Sequence, residues 1–153
     1  MAEPEEIGSE SREDTLKAGE AFSRRLVPGD VVALTGGLGS GKTVFIQGVC
    51  AGLGVREPVT SPTFTLLQEY TGRLRVFHFD FYRLESVEAV AALDLTAAFE
   101  GGGVCLIEWA ERGRPLLPQD RFEVELASVF ERSLPCPDRR RIRIVAPAGR
   151  ETA

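Results

Sequence analysis

The sequence predicts an α/β protein with one folded domain, and three observations support this prediction. The apolar segment 31–34 is followed by a glycine-rich loop and then by residues 43–53, whose apolar side chains recur at helical spacing. The continuous apolar run 104–107 is typical of a central strand that is covered on both faces. Residues 122–126 and 141–145 alternate like late antiparallel strands. At 153 residues, the chain is long enough for one sheet with a sizeable core.

The domain boundaries follow from composition. The first nine residues are acidic and polar, which predicts a flexible tail over 1–9. A single domain is predicted over 10–147, and a second tail over 148–153.

Local patterns define the other elements of this domain. Apolar residues at helical spacing predict a helix over 11–26, with Ser11 as its N-cap. A loop over 55–65 leads to two extended segments, 64–70 and 74–81, which Gly72 would join as a hairpin. A helix is predicted over 85–93, and prolines at four positions mark turns around the late strands: Pro115, Pro118, Pro135 and Pro137.

Composition limits the classes of function. The net charge of −5 predicts no general attraction to nucleic acid. The three cysteines are widely spaced without a metal-ligand pattern, and Cys50 and Cys105 fit buried thiols of a reducing compartment. The polar N-terminus has no apolar targeting segment, and no run approaches transmembrane length. We therefore expect a cytoplasmic protein that does not contact a membrane.

The glycine-rich loop carries the strongest functional signal. Residues 36–43, GGLGSGKT, match the pattern G-x-x-x-x-G-K-[ST] of phosphate-binding loops (P-loops). Glycines let successive backbone N–H groups converge on phosphate oxygens, and the following helix adds its positive N-terminal end. Lys42 would lie near the β- and γ-phosphates, and the Thr43 hydroxyl is a typical magnesium ligand. The predicted nucleotide-binding residues of this loop are Leu38, Gly39, Ser40, Gly41, Lys42 and Thr43.

Two carboxylates at strand ends are candidates for catalysis. Asp80 ends an apolar strand, where a magnesium–nucleotide complex would compensate its burial. A salt bridge to Arg83 or a cap on the next loop would also explain this aspartate. Glu108 likewise ends an apolar strand and could hold magnesium or polarise water, or simply cap the strand. Trp109 beside it fits either core packing or contact with the nucleotide.

Two further features could join this site. Ser61 and Thr63 lie in the loop after the P-loop helix. GTPases and related proteins have a switch segment at this place, which senses the γ-phosphate. His78, the only histidine, shares a strand face with Asp80 and fits a packed, hydrogen-bonded residue better than a catalyst. The arginine-rich run 138–143 is predicted as a solvated strand edge that could also dock an acidic partner or RNA.

The motifs together resemble the TsaE family, also called YjeE. The matching segments, in family order, are LGSGKT at 38–43, SPTFTL at 61–66 with Tyr70, HFDFYRL at 78–84 and IEW at 107–109. The resemblance implies a P-loop NTPase-like three-layer α/β fold, with a mainly parallel sheet and additional antiparallel strands. The chain departs from the family at Gly37, where an acidic residue is usual, and at Ser40, where alanine is usual.

The resemblance also implies a function. The family is a bacterial P-loop ATPase that supports synthesis of threonylcarbamoyladenosine in tRNA, with ATP and Mg²⁺ as cofactors and TsaB and TsaD as partners. By position, Thr43 and Glu108 would contact magnesium, Asp80 would serve the metal and water, and Trp109 would adjoin the nucleotide. The tRNA would be reached through the complex. The alternatives are a small-molecule kinase and a nucleotide-binding regulatory subunit without turnover of its own.

Overall fold

The computed structural model describes residues 3–150 of the chain. Within this range, seven strands form one sheet: β1 (Glu5–Ser9), β2 (Val31–Thr35), β3 (Leu67–Thr71), β4 (Arg75–Asp80), β5 (Val104–Glu108), β6 (Phe122–Glu131) and β7 (Leu134–Val145). The helices are α1 (Arg12–Ser23), α2 (Lys42–Gly52), α3 (Val87–Ala91) and α4 (Leu95–Phe99), and a 3₁₀ segment spans Ala110–Leu116. None of the helices in this range is both long and apolar enough to span a membrane.

The sheet is parallel at its centre and antiparallel at its edges. The strand order is β1-β7-β6-β2-β5-β4-β3. The four central strands, β6, β2, β5 and β4, run parallel, whereas β1, β7 and β3 are antiparallel to their neighbours. The predicted α/β class, with a mainly parallel core and antiparallel additions, is therefore confirmed. Because all four parallel strands end at the same edge, the residues that follow β2, β4 and β5 meet there.

Two apolar clusters enclose the sheet. Helices α1 and α2 cover one face, where Phe22 and Phe45 pack with side chains of the central strands. The short helices and the 3₁₀ segment cover β4 and β5 on the other face, around Phe79 and Phe81. Every residue of β5 is buried, as expected for a central strand covered on both faces.

Helices α1 and α2 approach each other through glycines. A Cβ atom added to Gly48 would overlap the backbone oxygen of Leu16, and one added to Gly19 would overlap that of Phe45. The predicted N-cap of α1 is confirmed, because the Ser11 hydroxyl accepts a hydrogen bond from the Asp14 backbone N–H at 3.1 Å.

The N-terminal residues differ from the predicted tail. Residues 5–9 form β1, which pairs with β7 along its whole length. Ile7 packs against the core, and the buried Ser9 hydroxyl lies 2.7 Å from that of Thr15. The segment looked like a tail because Ile7 is its only large apolar side chain, which concealed the alternation of an edge strand. Met1 and Ala2 lie outside the described residues.

The last part of the chain also differs from its prediction. The late strands are antiparallel as expected, but β6 and β7 extend well beyond 122–126 and 141–145. Pro135 and Pro137 lie within β7 rather than in turns, and a register shift near Ser128 and Val129 accommodates this irregular part of the ladder. In the predicted tail 148–153, Arg150 donates hydrogen bonds to Asp30 and, at 2.8 Å, to the backbone oxygen of Arg25. Residues 151–153 lie outside the described range.

Candidate nucleotide-binding site

The glycine-rich loop connects the buried strand β2 to helix α2, as the sequence predicts. Gly36 has φ 139° and Gly41 has φ 102°, which are left-handed values that favour glycine. A Cβ atom at Gly36 would also overlap the backbone oxygen of Leu126 on β6. The loop thus depends on glycine both for its curvature and for its close contact with the sheet.

Lys42 lies at the centre of this loop. Its ammonium group donates hydrogen bonds to the backbone oxygens of Gly36 at 2.6 Å and Gly37 at 2.9 Å, and to the Ser40 hydroxyl at 3.3 Å. The ring centroid of Trp109 lies 4.3 Å from the same nitrogen. The loop and the indole therefore enclose a single positive charge, with its side chain only 5% exposed.

Burial lowers the pKa of Lys42 from its usual value of 10.5. Three nearby carboxylates oppose this effect and favour the charged form: Glu108, Glu111 and Asp80. The pKa of Lys42 thus reflects two opposing effects, of which burial is the larger.

Glu108 ends β5 and is almost completely buried. One of its carboxylate oxygens, Oε1, accepts a hydrogen bond from the Thr43 hydroxyl at 3.0 Å. The other, Oε2, lies 2.7 Å from Nε2 of His78. The carboxylate is therefore tied both to the first turn of α2 and to the neighbouring strand β4.

Asp80 ends β4 directly beside Glu108, because these two residues are register partners in the parallel β4–β5 pair. Its Oδ2 accepts hydrogen bonds from the hydroxyls of Ser61 at 3.0 Å and Thr63 at 2.8 Å. Its Oδ1 accepts one from the backbone N–H of Tyr82 at 2.8 Å. The carboxylate thus caps the following loop, as one alternative predicted, and also holds the serine–threonine loop against the sheet.

The other alternative for Asp80 was a salt bridge to Arg83. Within residues 3–150, no ion pair joins these two side chains. The Arg83 guanidinium instead lies 5.0 Å from the ring centroid of Phe64, which is 83% exposed.

Trp109 follows Glu108 and leaves the strand with φ 56°. Its half-buried ring packs beside Tyr82, with ring centroids 4.9 Å apart, and faces Lys42. Part of the indole therefore packs against protein, and part of it borders the loop that would hold phosphates.

A cavity of about 500 Å³ joins these parts at the carboxyl edge of the parallel strands. All the predicted site residues line it: Leu38, Gly39, Ser40, Gly41, Lys42, Thr43, Ser61, Thr63, Asp80, Glu108 and Trp109. Its volume is in the range of small-molecule and cofactor sites.

Sequence reasoning missed one side of this cavity. Ser11, Arg12 and Thr15 line it from the start of α1, and Asp138 and Arg140 line it from β7. Arg140 donates a hydrogen bond to the backbone oxygen of Gly39 at 2.9 Å. The run 138–143 is thus partly a wall of the cavity, not only a solvated edge. The signal was the arginine run itself, but only the strand order brings β7 to the P-loop.

The residues of the site fit a magnesium ion. Thr43 and Glu108 place two oxygen atoms 3.0 Å apart at the cavity, and the carboxylate of Asp80 lines the same space. Hard oxygen ligands are those that Mg²⁺ prefers. Asp80 and Glu108 are only 2% and 3% exposed, and two buried carboxylates side by side favour a bound cation.

Comparison with known proteins agrees with the motifs. Residues 9–134 match the family described as threonylcarbamoyl adenosine biosynthesis protein TsaE. The protein named tRNA threonylcarbamoyladenosine biosynthesis protein TsaE of Treponema pallidum is 45% identical over 118 residues, which are 77% of this chain and 87% of that protein. The protein of the same name from Bacillus subtilis is 42% identical over 119 residues, which are 77% of this chain and 72% of that protein.

A solved structure extends the likeness to nearly the whole chain. The crystal structure of YdiB from Bacillus subtilis superposes with a TM-score of 0.82 at 33% sequence identity, covering 98% of this chain and 90% of that one. The shared fold, the matching motifs and the extent of the family match lead to one assignment. This chain belongs to the TsaE family of threonylcarbamoyl adenosine biosynthesis proteins.

Proposed function

We propose that this chain is a Mg²⁺-dependent ATPase that supports formation of the threonylcarbamoyl group on adenosine in tRNA. The observation that carries the proposal is the convergence of Lys42, Thr43, Asp80 and Glu108 on one cavity at the end of the parallel strands. A P-loop lysine, a hydroxyl and two acidic residues are the parts that phosphoryl-transfer sites require. Membership of the TsaE family supports the connection with tRNA modification.

Each residue has a distinct part in this proposal. The backbone N–H groups of residues 38–43 and the Lys42 ammonium bind the β- and γ-phosphates of ATP. Thr43 and Glu108 hold Mg²⁺, which neutralises charge on the phosphate oxygens when bound. Asp80 orients the attacking water and anchors the loop of Ser61 and Thr63.

Anchoring of that loop by Asp80 could make its position depend on the bound nucleotide. The hydroxyls of Ser61 and Thr63 bind Asp80, which also lines the cavity. A γ-phosphate that competes for these hydroxyls would release or reposition the loop. In this proposal, ATP hydrolysis resets a cytoplasmic complex with TsaB and TsaD, and tRNA is reached through that complex.

The test is ATP turnover by the purified chain, alone and with TsaB, TsaD and tRNA. We expect weak turnover alone, ATP-dependent association with the partners and higher turnover in their presence. Partners that neither bind in an ATP-dependent way nor raise turnover would contradict the proposal. A phosphorylated small molecule would identify a kinase, and nucleotide binding without hydrolysis in the full mixture would identify a regulatory subunit.

A further inference from the structure

The deepest polar side chain of the site is one that the proposed reaction does not use. His78 is fully buried in β4, two residues before Asp80 and on the same face of the strand. Its Nε2 lies 2.7 Å from Oε2 of Glu108, whose other oxygen accepts the Thr43 hydroxyl. The imidazole and the hydroxyl therefore hold the two oxygens of one carboxylate from opposite sides.

The surroundings of the ring indicate where its proton lies. Nδ1 of His78 is buried and has no hydrogen-bond partner among the described residues. An N–H group at this position would be a buried donor without an acceptor, which is costly. A proton on Nε2, by contrast, is donated directly to the carboxylate of Glu108. The contacts of the ring therefore favour a proton on Nε2, which Glu108 accepts.

An imidazole differs from a permanently charged donor beside a carboxylate that is proposed to bind a metal ion. A lysine or arginine at this position would form an ion pair with Glu108 and compete with a metal ion for its negative charge. The imidazole supplies one directed hydrogen bond to Oε2 of Glu108 and carries no permanent charge. Histidines and carboxylates that orient ligands in this way commonly adjoin metal centres.

We infer that His78 is a positioning residue, which holds Oε2 of Glu108 so that Oε1 faces Thr43 and the magnesium site. The inference rests on the proposed function, because it assigns Glu108 to Mg²⁺. It adds a role for a side chain that lies outside the cavity lining.

The test compares His78→Leu, which removes the donor, with His78→Gln, which keeps an N–H near the position of Nε2. Binding of ADP is measured by calorimetry over a series of Mg²⁺ concentrations and in EDTA. We expect His78→Leu to raise about tenfold the Mg²⁺ concentration that gives half of the maximal increase in ADP affinity. The affinity for ADP in EDTA should stay within about twofold of wild type. His78→Gln should restore most of the loss.

Controls separate positioning from packing. Phe79→Leu alters the next side chain of the same strand, which packs on the opposite face of the sheet with Phe81. This variant should lower the midpoint of thermal unfolding without changing the Mg²⁺ requirement for ADP binding. If His78→Leu does not fold, His78→Asn, whose shorter amide cannot span the same distance to Glu108, takes its place. Equal Mg²⁺ requirements in wild type and the His78 variants would overturn the inference. An equal loss of ADP affinity with Mg²⁺ and in EDTA would overturn it as well.

One outcome distinguishes this inference from the proposed function. If ADP binding by the wild-type chain is independent of Mg²⁺ and Glu108→Gln has no effect, the assignment of the metal site itself fails. If the wild type requires Mg²⁺ and Glu108→Gln raises that requirement while His78→Leu does not, only the role of His78 is overturned.

Discussion

At the scale of single residues, the site is organised around one buried cation. Lys42 is enclosed by loop carbonyl groups and by the ring of Trp109, with carboxylates nearby. The ammonium group donates hydrogen bonds to oxygens of its own loop. In the proposed nucleotide complex, the same group would also bind phosphate oxygens.

Replacement of this lysine should separate binding from folding. We expect Lys42→Ala to weaken ATP binding by about 10- to 100-fold, since hydrogen bonds to charged groups contribute about 1.5–3 kcal/mol. The matched control is Lys17→Ala, because Lys17 is the only other lysine and lies exposed on α1. Calorimetric titration with ATP measures the affinity, and circular dichroism checks the fold. Equal affinities in the two variants would contradict a phosphate-binding role for Lys42.

The lowered pKa of Lys42 predicts a pH dependence of binding. Phosphates require the ammonium form, which the free protein loses as pH rises through a pKa below 10.5. ATP affinity should therefore be constant near neutral pH and decrease on the alkaline side before pH 10.5. Titrations between pH 7 and 10 measure this decrease, and Lys42→Ala should abolish it. A decrease of the same size in that variant would assign the effect to another group.

The sequence predicts the main site residues because each follows a recognisable local pattern. Asp80 and Glu108 end apolar strands, and Lys42 lies at a fixed place in the glycine-rich loop. The contact of His78 with Glu108 depends instead on the pairing of β4 with β5, and the position of Arg140 depends on the strand order. Local patterns do not contain that information, so these two residues were not assigned to the site.

At the scale of elements, the close contact between α1 and α2 joins two parts of the cavity. Helix α2 begins with Lys42 and Thr43, and the start of α1 supplies Ser11 and Thr15 to the lining of the same cavity. Glycine allows these helices to approach so closely that side-chain atoms have no space at Gly48. The close approach of α1 and α2 therefore depends on the absence of a side chain at Gly48.

A methyl group at this contact should destabilise the fold. We expect Gly48→Ala to lower the free energy of unfolding by about 1–3 kcal/mol, because the added carbon overlaps the backbone of Leu16. Gly8→Ala is the matched control, since a Cβ atom there meets no atom within 4 Å. Urea denaturation followed by circular dichroism measures both variants. If Gly48→Ala and Gly8→Ala had equal free energies of unfolding, helix α1 could move away from α2 without loss of stability, and the prediction would be wrong.

The edge elements show where prediction from local patterns fails. Strand β1 has one large apolar side chain, that of Ile7, and the outer part of β7 contains two prolines, so both looked irregular. Strand β1 pairs with β7, which is distant in sequence, and the outer part of β7 pairs with the end of β6 across the β6–β7 hairpin. The hairpin between β6 and β7 also turns at Arg132 and Ser133, whose φ values of 51° and 65° are unusual for residues other than glycine or asparagine.

At the scale of the whole molecule, the two apolar clusters each contain one buried cysteine. Cys50 is buried on one face of the sheet and Cys105 on the other, and burial raises the pKa of each thiol to about 12. Cys136 lies half-buried near the end of the β6–β7 hairpin. One cysteine thus lies in each apolar cluster, and the third lies in a peripheral part of β7.

Thiol labelling should therefore distinguish local opening from global unfolding. In the native protein at pH 8, we expect one thiol to react rapidly with a maleimide, because the thiols of Cys50 and Cys105 are protonated and inaccessible. All three should react in denaturant. Mass spectrometry measures the extent of labelling, and Cys136→Ser should leave no rapidly reacting thiol. Rapid labelling of three thiols in the native protein would contradict the described packing.

The pairing of Asp80 with Glu108 on adjacent strands also limits how the length of the chain can change. One residue inserted within β4 would turn His78 and Asp80 to the opposite face of the sheet, although the strand could remain apolar and paired. The β6–β7 hairpin already accommodates a register shift outside the parallel core. Insertions and deletions in descendants of this chain should therefore accumulate near residues 128–137, whereas the spacing within 76–80 and 104–108 should stay constant.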